Sequence, residues 1–141
     1  MNILILQGPN LNLLGLKSAQ INERLTLDKL NKKIKDEIEL KEIKLKFLQT
    51  HKTFQAINFL QRNRNKALGL LFIPTSWART NYTILETINL IEIKTSVVYF
   101  EDPYNFGTNA SQSIIQGKNI KSFTGQPISS CIEGIKNFLN K

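Results

Sequence analysis

Charged residues that could carry out chemistry follow one of the apolar runs of this sequence. Glu101 and Asp102 come directly after the apolar segment 95–100. One carboxyl group of such a pair could have a raised pKa and act as an acid or base, or the pair could bind a cation. Arg79, Lys17 and His51, the single histidine, are candidate partners for Glu101. The alternative, that these carboxylates are exposed loop charges, stays open.

Two asparagines form a second candidate site. Asn10 and Asn12 follow the apolar run 2–6, in the turn-forming segment that contains Gly8 and Pro9. Their carboxamides could contact a ligand, or they could satisfy the backbone groups of the turn itself. The residue types alone favour neither interpretation.

The elements that must position these residues alternate between strand and helix. Strands are predicted from apolar runs and from alternation at 2–6, 43–47, 67–73, 95–100 and 120–123. Helices are predicted from helical spacing and from N-caps at Thr26 to about Glu39, Thr53 to about Leu60, Thr80 to about Leu90 and Pro127 to Phe138. The aperiodic segment 104–118 receives no assignment.

This alternation predicts an α/β fold in one domain spanning residues 1–141. With right-handed crossovers, it predicts a flavodoxin-like doubly wound parallel sheet of strand order 2-1-3-4-5, with helices on both faces. Binding sites in such folds lie beyond the carboxyl ends of the strands. Those ends are Gln7 to Asn12, Gln49 to Thr53, Pro74 to Thr80 and Glu101 to Tyr104.

The net charge of +8 raises the question of an anionic partner. A basic module for nucleic acid or an acidic partner would use segments 29–35 and 62–66 with Trp77. However, the lysines of segment 29–35 alternate with apolar residues at helical spacing, which is typical of a solvated helix face. The charge distribution therefore argues against nucleic acid.

Composition also bears on compartment. Cys131 is the only cysteine, so no intramolecular disulfide can form, and its apolar neighbours predict a buried thiol. No apolar run reaches the roughly 18 residues that a membrane helix needs, and the first residues enter a strand pattern directly. We therefore expect a cytoplasmic protein that has no membrane contact.

A family resemblance rests on the opening segment. Ile3-Leu4-Ile5-Leu6-Gln7-Gly8-Pro9-Asn10-Leu11-Asn12-Leu13-Leu14-Gly15 closely resembles the first strand and loop of type II 3-dehydroquinate dehydratases. Weaker agreement follows at Thr26-Leu27, Phe47-Leu48-Gln49-Thr50, Pro74, Thr80 and Glu133-Gly134-Ile135. The resemblance implies dehydration of 3-dehydroquinate in the shikimate pathway, without metal or organic cofactor, by a homo-oligomer of trimers assembled into a dodecamer. The segment from Gly107 to Ile120 is shorter than usual in this family.

The resemblance also implies catalytic roles that this sequence does not fill. The family uses a loop tyrosine as base, a loop arginine that lowers its pKa, and a histidine ending the fourth strand as acid. Here Asn22, Lys17 and Glu101 stand at those positions. A carboxamide cannot act as a base near neutral pH, and lysine lacks the planar fork of arginine.

The positions that bind substrate have changed as well. Arg79 replaces the second histidine of the family, and Ile73 replaces an asparagine. Asp102 and Pro103 stand where backbone N–H groups would hold a carboxylate, and proline has no such donor. The remaining candidate substrate contacts are Asn10, Asn12, Lys17, Arg79 and Thr80.

Two functional hypotheses follow. In the first, the fold persists but the dehydratase activity is lost or very weak, and the protein binds another small molecule or a partner. In the second, Glu101 acts as acid or base beside Arg79, Lys17 or His51 on a different small molecule.

Overall fold

The core of the structure is one sheet of five parallel strands. A computed structural model describes residues 1–38 and 42–139. The strands pair in the order β2-β1-β3-β4-β5, as predicted. Their bounds are β1 Asn2–Gln7, β2 Lys44–Gln49, β3 Ala67–Ile73, β4 Thr95–Phe100 and β5 Ile120–Gly125. The flavodoxin-like fold is therefore confirmed.

Burial explains the order of the strands. Every residue of β1 and β4 is buried, and so is β3 from Gly69 onward, because helices cover both faces of a doubly wound sheet. The edge strands β2 and β5 carry exposed lysines, and β2 has the half-buried pattern that its alternation predicts. In the centre of the sheet, Ile5 is in register with Phe47 on one side and Leu71 on the other.

Helices form a layer on each face of the sheet. Their bounds are α1 Leu14–Ala19, α2 Leu27–Glu37, α3 Thr53–Asn63, α4 Trp77–Thr80, α5 Tyr82–Ile91 and α6 Pro127–Leu139. Short 3-10 helices occupy Leu11–Leu13, Arg64–Lys66 and Ala110–Gln112. Helices α2 and α6 pack together over one face, and α3 and α5 over the other, which divides the core into two apolar clusters.

Two of the four predicted helix starts are wrong. Thr26 does cap α2, since its hydroxyl accepts a hydrogen bond from the backbone N–H of Lys29 at 3.3 Å. Thr53, in contrast, lies inside the first turn of α3. The helix predicted from Thr80 begins at Tyr82 instead, because Thr80 ends α4 and the Asn81 side chain accepts from Ile84 N–H at 3.1 Å to cap α5. Asparagine is the stronger N-cap of these neighbours.

Other boundaries differ less. Helix α2 ends at Glu37, and Glu39 lies outside the described residues. Strand β5 is longer than predicted, because it continues to Gly125 beside the whole of β4. Cys131 is buried, as predicted. Trp77 is only 8% exposed and packs in the core, so it has no free face on which a base could stack.

Candidate functional site

The loops that follow β1 and β3 are locked together at the carboxyl edge of the sheet. Gly8 N–H donates to the Ile73 carbonyl at 2.8 Å, and the Thr75 hydroxyl donates to the Pro9 carbonyl at 2.7 Å. A Cβ atom on Gly8 would lie 2.3 Å from the Pro74 oxygen, so only glycine fits there. The two loops thus form one rigid floor.

The loop after β2 joins this floor. Thr50 N–H donates to the Gln7 carbonyl at 3.0 Å, and Asn10 N–H donates to His51 Nδ1 at 3.3 Å. Asn10 has a φ of 69°, a left-handed conformation that asparagine adopts more readily than most residues. The structure thus brings Asn10 to His51, while the side chains of Asn10 and Asn12 are exposed. The conformation of Asn10 favours the role in the turn.

Tyr104 anchors the loop that follows α1. It is 4% exposed, and its hydroxyl donates to Glu23 Oε1 at 2.6 Å and lies 3.1 Å from Ser18 Oγ. Ser18 Oγ in turn accepts from Leu25 N–H at 2.7 Å. Burial, with the adjacent Glu23 carboxylate, raises the pKa of Tyr104. This tyrosine therefore stays protonated near neutral pH, and its role is to anchor the loop after α1.

The predicted charged residues are spread along the edge of the sheet. Lys17 Nζ lies 5.0 Å from the centre of the Phe106 ring, which is a cation–π contact. The other predicted site residues at this edge are exposed, namely Asn22, Glu101, Arg79 and Thr80. In the described part of the chain, no hydrogen bond links the Glu101 carboxylate to Lys17, Arg79 or the His51 ring. The Glu101 backbone N–H donates to the Gly125 carbonyl at 2.9 Å, so the turn after β4 is held by β5. Among the described residues, Glu101 therefore has no hydrogen-bonded partner for acid–base chemistry.

A narrow crevice separates the ends of β3 and β4. The two strands pair only from Leu70 with Thr95 to Phe72 with Val97. Beyond that point lies a cavity of about 10 Å³, which has room for about one water molecule. Its lining residues are Ile73, Thr75, Val98, Tyr99, Phe100, Phe106 and Thr108. The apolar Ile73 and Phe106 help to close it.

A second concave surface is an open groove of about 920 Å³ beside α2 and the start of α6. It is bordered by the loop Asn22 to Leu25, so Asn22 faces this groove. Its charged residues are Glu23, Arg24, Lys29, Lys32, Lys33 and Asp36. The groove carries a modest positive excess.

Residues 1–38 and 42–139 contain neither a metal-binding cluster nor a membrane-spanning helix. That part of the chain has no group of three or more histidine, cysteine, aspartate or glutamate side chains arranged to hold a metal ion. In the same residues, no helix is both long enough and apolar enough to cross a bilayer.

A flavodoxin-like sheet with polar loops at its carboxyl edge defines an α/β protein of the class that binds small molecules there. The family described as Dehydroquinase class II matches residues 1–139, and the chain belongs to that family. This confirms the resemblance seen in the opening segment.

Individual relatives agree with this assignment. A 3-dehydroquinate dehydratase from Trichodesmium erythraeum is 30% identical over 139 residues, covering 99% of this chain and 93% of the relative. One from Clostridium acetobutylicum is 30% identical over 144 residues, covering 100% of both. The crystal structure of a type II dehydroquinase from Butyrivibrio crossotus superposes with a TM-score of 0.83 at 21% identity, covering 99% of this chain and 98% of that one.

Two tyrosines of this edge escaped the sequence-based list of site residues. Tyr104 supports the loop after α1, and Tyr99 lines the crevice between β3 and β4. The sequence did contain a signal for Tyr99, because it carries a hydroxyl near the carboxyl end of β4, where ligand sites lie in such folds. The contact of Tyr104 with Glu23 has no local signal.

Proposed function

We propose that this chain keeps the class II dehydroquinase fold but dehydrates 3-dehydroquinate very weakly or not at all, and that its carboxyl edge binds a small molecule or a partner instead. The observation that carries the proposal is the state of Tyr104. This tyrosine is the one that packs beneath the loop after α1, and its hydroxyl is committed to Glu23 with a raised pKa. It is thus in the wrong protonation state for a base.

The chemistry of dehydration makes this state decisive. A base must remove a proton adjacent to a ketone, and an acid must assist the departing hydroxyl. Asn22 cannot act as the base, and Glu101 is exposed and makes no side-chain hydrogen bond within residues 1–38 and 42–139. The loss of a base and an acid removes rate factors of about 10² to 10⁴ each, although coupled groups do not simply multiply.

The crevice at the ends of β3 and β4 supports the same proposal. Its volume of about 10 Å³ leaves no space for a six-membered ring. Ile73 and Phe106 are among its lining residues, and both have apolar side chains. A ring substrate would have to displace a side chain before any chemistry could begin, which adds a further barrier to turnover.

Assembly and location belong to the proposal as well. We expect a homo-oligomer built from trimers, as the family resemblance implies, and a cytoplasmic location. Light scattering coupled to size-exclusion chromatography tests the first expectation directly. A monomer at micromolar concentration would contradict it.

Turnover of 3-dehydroquinate is the direct test. The conjugated product absorbs in the ultraviolet, so purified protein is mixed with 3-dehydroquinate and the absorbance is followed. The same assay is run on Glu101→Gln and on the matched control Glu133→Gln, which changes an exposed glutamate on α6. We expect all three proteins to remain far below about 1 s⁻¹, the low end of ordinary enzyme rates.

Either other result would be informative. An ordinary rate in the unmodified chain refutes the proposal. If that rate is lost in Glu101→Gln but kept in Glu133→Gln, the family reaction survives on a rebuilt acid–base pair that includes Glu101.

A further inference from the structure

The open groove beside α2 and the start of α6, which we call the α2–α6 groove, carries a stripe of positive charge. Lys29, Lys32 and Lys33 line it, and all three are exposed. Positions three and four apart are neighbours on a helix surface, so these ammonium groups lie on one side of α2. The groove has four basic and two acidic residues, and one of the acidic residues, Glu23, already accepts from the Tyr104 hydroxyl at 2.6 Å. The groove therefore attracts negatively charged groups.

Another part of the lining of the groove is apolar. Leu25 and Ile128 are half-buried, and both line the groove and pack against the apolar cluster on this face of the sheet. An apolar group of a ligand gains free energy by covering the part of them that water still reaches. The groove also includes the start of α6, where the N–H groups of Ile128 and Ser129 belong to the first turn and have no acceptor within the helix. The partial positive charge of this helix end adds to that of the lysines.

The groove is already shaped in the free protein. Residues 22–25 form one of its borders. The Tyr104 hydroxyl holds Glu23 within this border, and Ser18 Oγ accepts from Leu25 N–H at 2.7 Å. A surface that is fixed beforehand binds without the entropic cost of ordering it. The anchoring of the loop after α1 therefore favours binding in the groove.

We propose that the α2–α6 groove binds an acidic amphipathic segment of a partner protein. Apolar side chains of that segment cover Leu25 and Ile128, and its carboxylates face the lysine stripe of α2 and the start of α6. A helix whose apolar face lies in a groove is a common mode of peptide recognition. The proposal goes beyond the function proposed above, because it holds whether or not the chain turns over 3-dehydroquinate.

The lining of the groove favours a protein segment over two other occupants. A nucleic acid presents a continuous row of phosphates, which the Glu23 and Asp36 carboxylates would repel. Tyr104 lines the groove but is 4% exposed, so it has no free ring face on which a base could stack. A second copy of this chain has a net charge of +8 and would add like charge. A protein segment can place its carboxylates opposite the lysines and uncharged residues opposite Glu23 and Asp36.

Fluorescence anisotropy with a labelled synthetic peptide tests the lysine stripe. The probe is an amphipathic peptide of about twelve residues, with leucines on one helical face and glutamates on the other. Lys32→Glu/Lys33→Glu is compared with the unmodified chain and with Lys118→Glu/Lys121→Glu, a matched control that makes the same change in net charge at two exposed lysines outside the groove. At about 0.15 M salt, we expect the groove variant to bind at least about tenfold more weakly than the unmodified chain, and the control to bind within about twofold of it. Equal weakening in the two variants, or no binding by the unmodified chain at about 1 mM peptide, would overturn the proposal.

The apolar contact is tested with the same peptide. Ile128→Ala should weaken binding about three- to tenfold, because it removes apolar surface that the peptide covers. Leu90→Ala is the control, since Leu90 is 76% exposed on α5, and it should bind within about twofold of the unmodified chain. An unchanged affinity in Ile128→Ala would mean that charge alone attracts the peptide, and the amphipathic class of partner would be wrong.

Two further measurements separate the alternatives. Urea unfolding shows that each variant is folded, and if Lys32→Glu/Lys33→Glu is not, Lys32→Gln/Lys33→Gln takes its place, with an expected loss of affinity of at least about threefold. A single-stranded oligonucleotide of about twelve nucleotides is titrated in parallel. If it binds more tightly than the peptide and is lost in the same variant, the groove is a nucleic-acid site and the proposal is wrong. Turnover of 3-dehydroquinate affects none of these results, so this proposal and the proposed function fail separately.

Discussion

Replacing Tyr104 by phenylalanine measures how strongly the loop after α1 is fixed. The substitution keeps the ring in the core and removes only the hydroxyl that donates to Glu23 at 2.6 Å. A net hydrogen bond to a charged acceptor is worth about 1.5 to 3 kcal/mol. Glu23 is exposed and regains water when the bond is lost, so the lower end applies. We expect a loss of about 1.5 kcal/mol, or roughly 4 to 6 °C in Tm for a chain of this size.

Urea unfolding at neutral pH is the assay, with the midpoint and slope recorded for each variant. Tyr82→Phe is the matched control, since Tyr82 is 65% exposed. Glu23→Ala and the double variant complete a cycle, in which we expect a coupling energy of about 1 kcal/mol between Tyr104 and Glu23. If Tyr104→Phe lowers the free energy of unfolding by less than about 0.5 kcal/mol, or by no more than Tyr82→Phe does, then Tyr104 does not anchor the loop after α1.

The remaining predictions concern the pH dependence of stability, the Cys131 thiol and the glycines Gly8 and Gly15. The pKa values of Tyr99 and Tyr104 in the folded protein lie above the unfolded value of 10.0. Their contribution to stability is therefore fully present below that pH and is lost as pH rises through the folded values. Urea midpoints should fall from about pH 8 to about pH 11, and should fall less in Tyr104→Phe. Cys131 is fully buried, which raises its pKa, so a disulfide reagent should label it only after unfolding, and rapid labelling of the native protein would contradict the packing of α6. Gly8→Ala should lower the free energy of unfolding by about 3 kcal/mol or more, because its new methyl group meets the backbone. Gly15→Ala meets the movable Thr26 side chain at 3.3 Å and should lower it by less than about 1 kcal/mol. Similar unfolding midpoints for the two variants would refute this contrast.

The strands could be predicted because each one carries its own signal. The run Ala67–Ile73 has no polar side chain, which only a strand covered on both faces accepts, and Lys44 and Lys46 alternate with apolar residues as an edge strand requires. Strand order then follows from the alternation with helices and from handedness. The helix start near Thr80 is displaced because two capping residues are adjacent there, and Asn81 is the one whose side chain accepts from Ile84 N–H. At α3 the N-cap position is Lys52, which makes no side-chain cap and therefore gives no signal in the sequence.

The site was less predictable because its contacts join distant positions. Tyr104 and Glu23 are separated by 81 positions, and nothing near either residue indicates the other. The contact of Lys17 in α1 with Phe106 in the loop after β4 likewise joins distant positions. Asn10 could be placed at the edge of the sheet from its turn, but its left-handed conformation, which favours the structural role, is visible only in three dimensions.

The lysines of the two outer strands also limit how copies of this chain can associate. Lys44 and Lys46 on β2 and Lys121 on β5 are exposed at the two borders of the sheet. A strand from another copy that added to either border would have to bring its own charges against these ammonium groups, which disfavours a continuous intermolecular sheet. For the oligomer proposed above, these lysines favour contacts through helix and loop surfaces over contacts that extend the sheet.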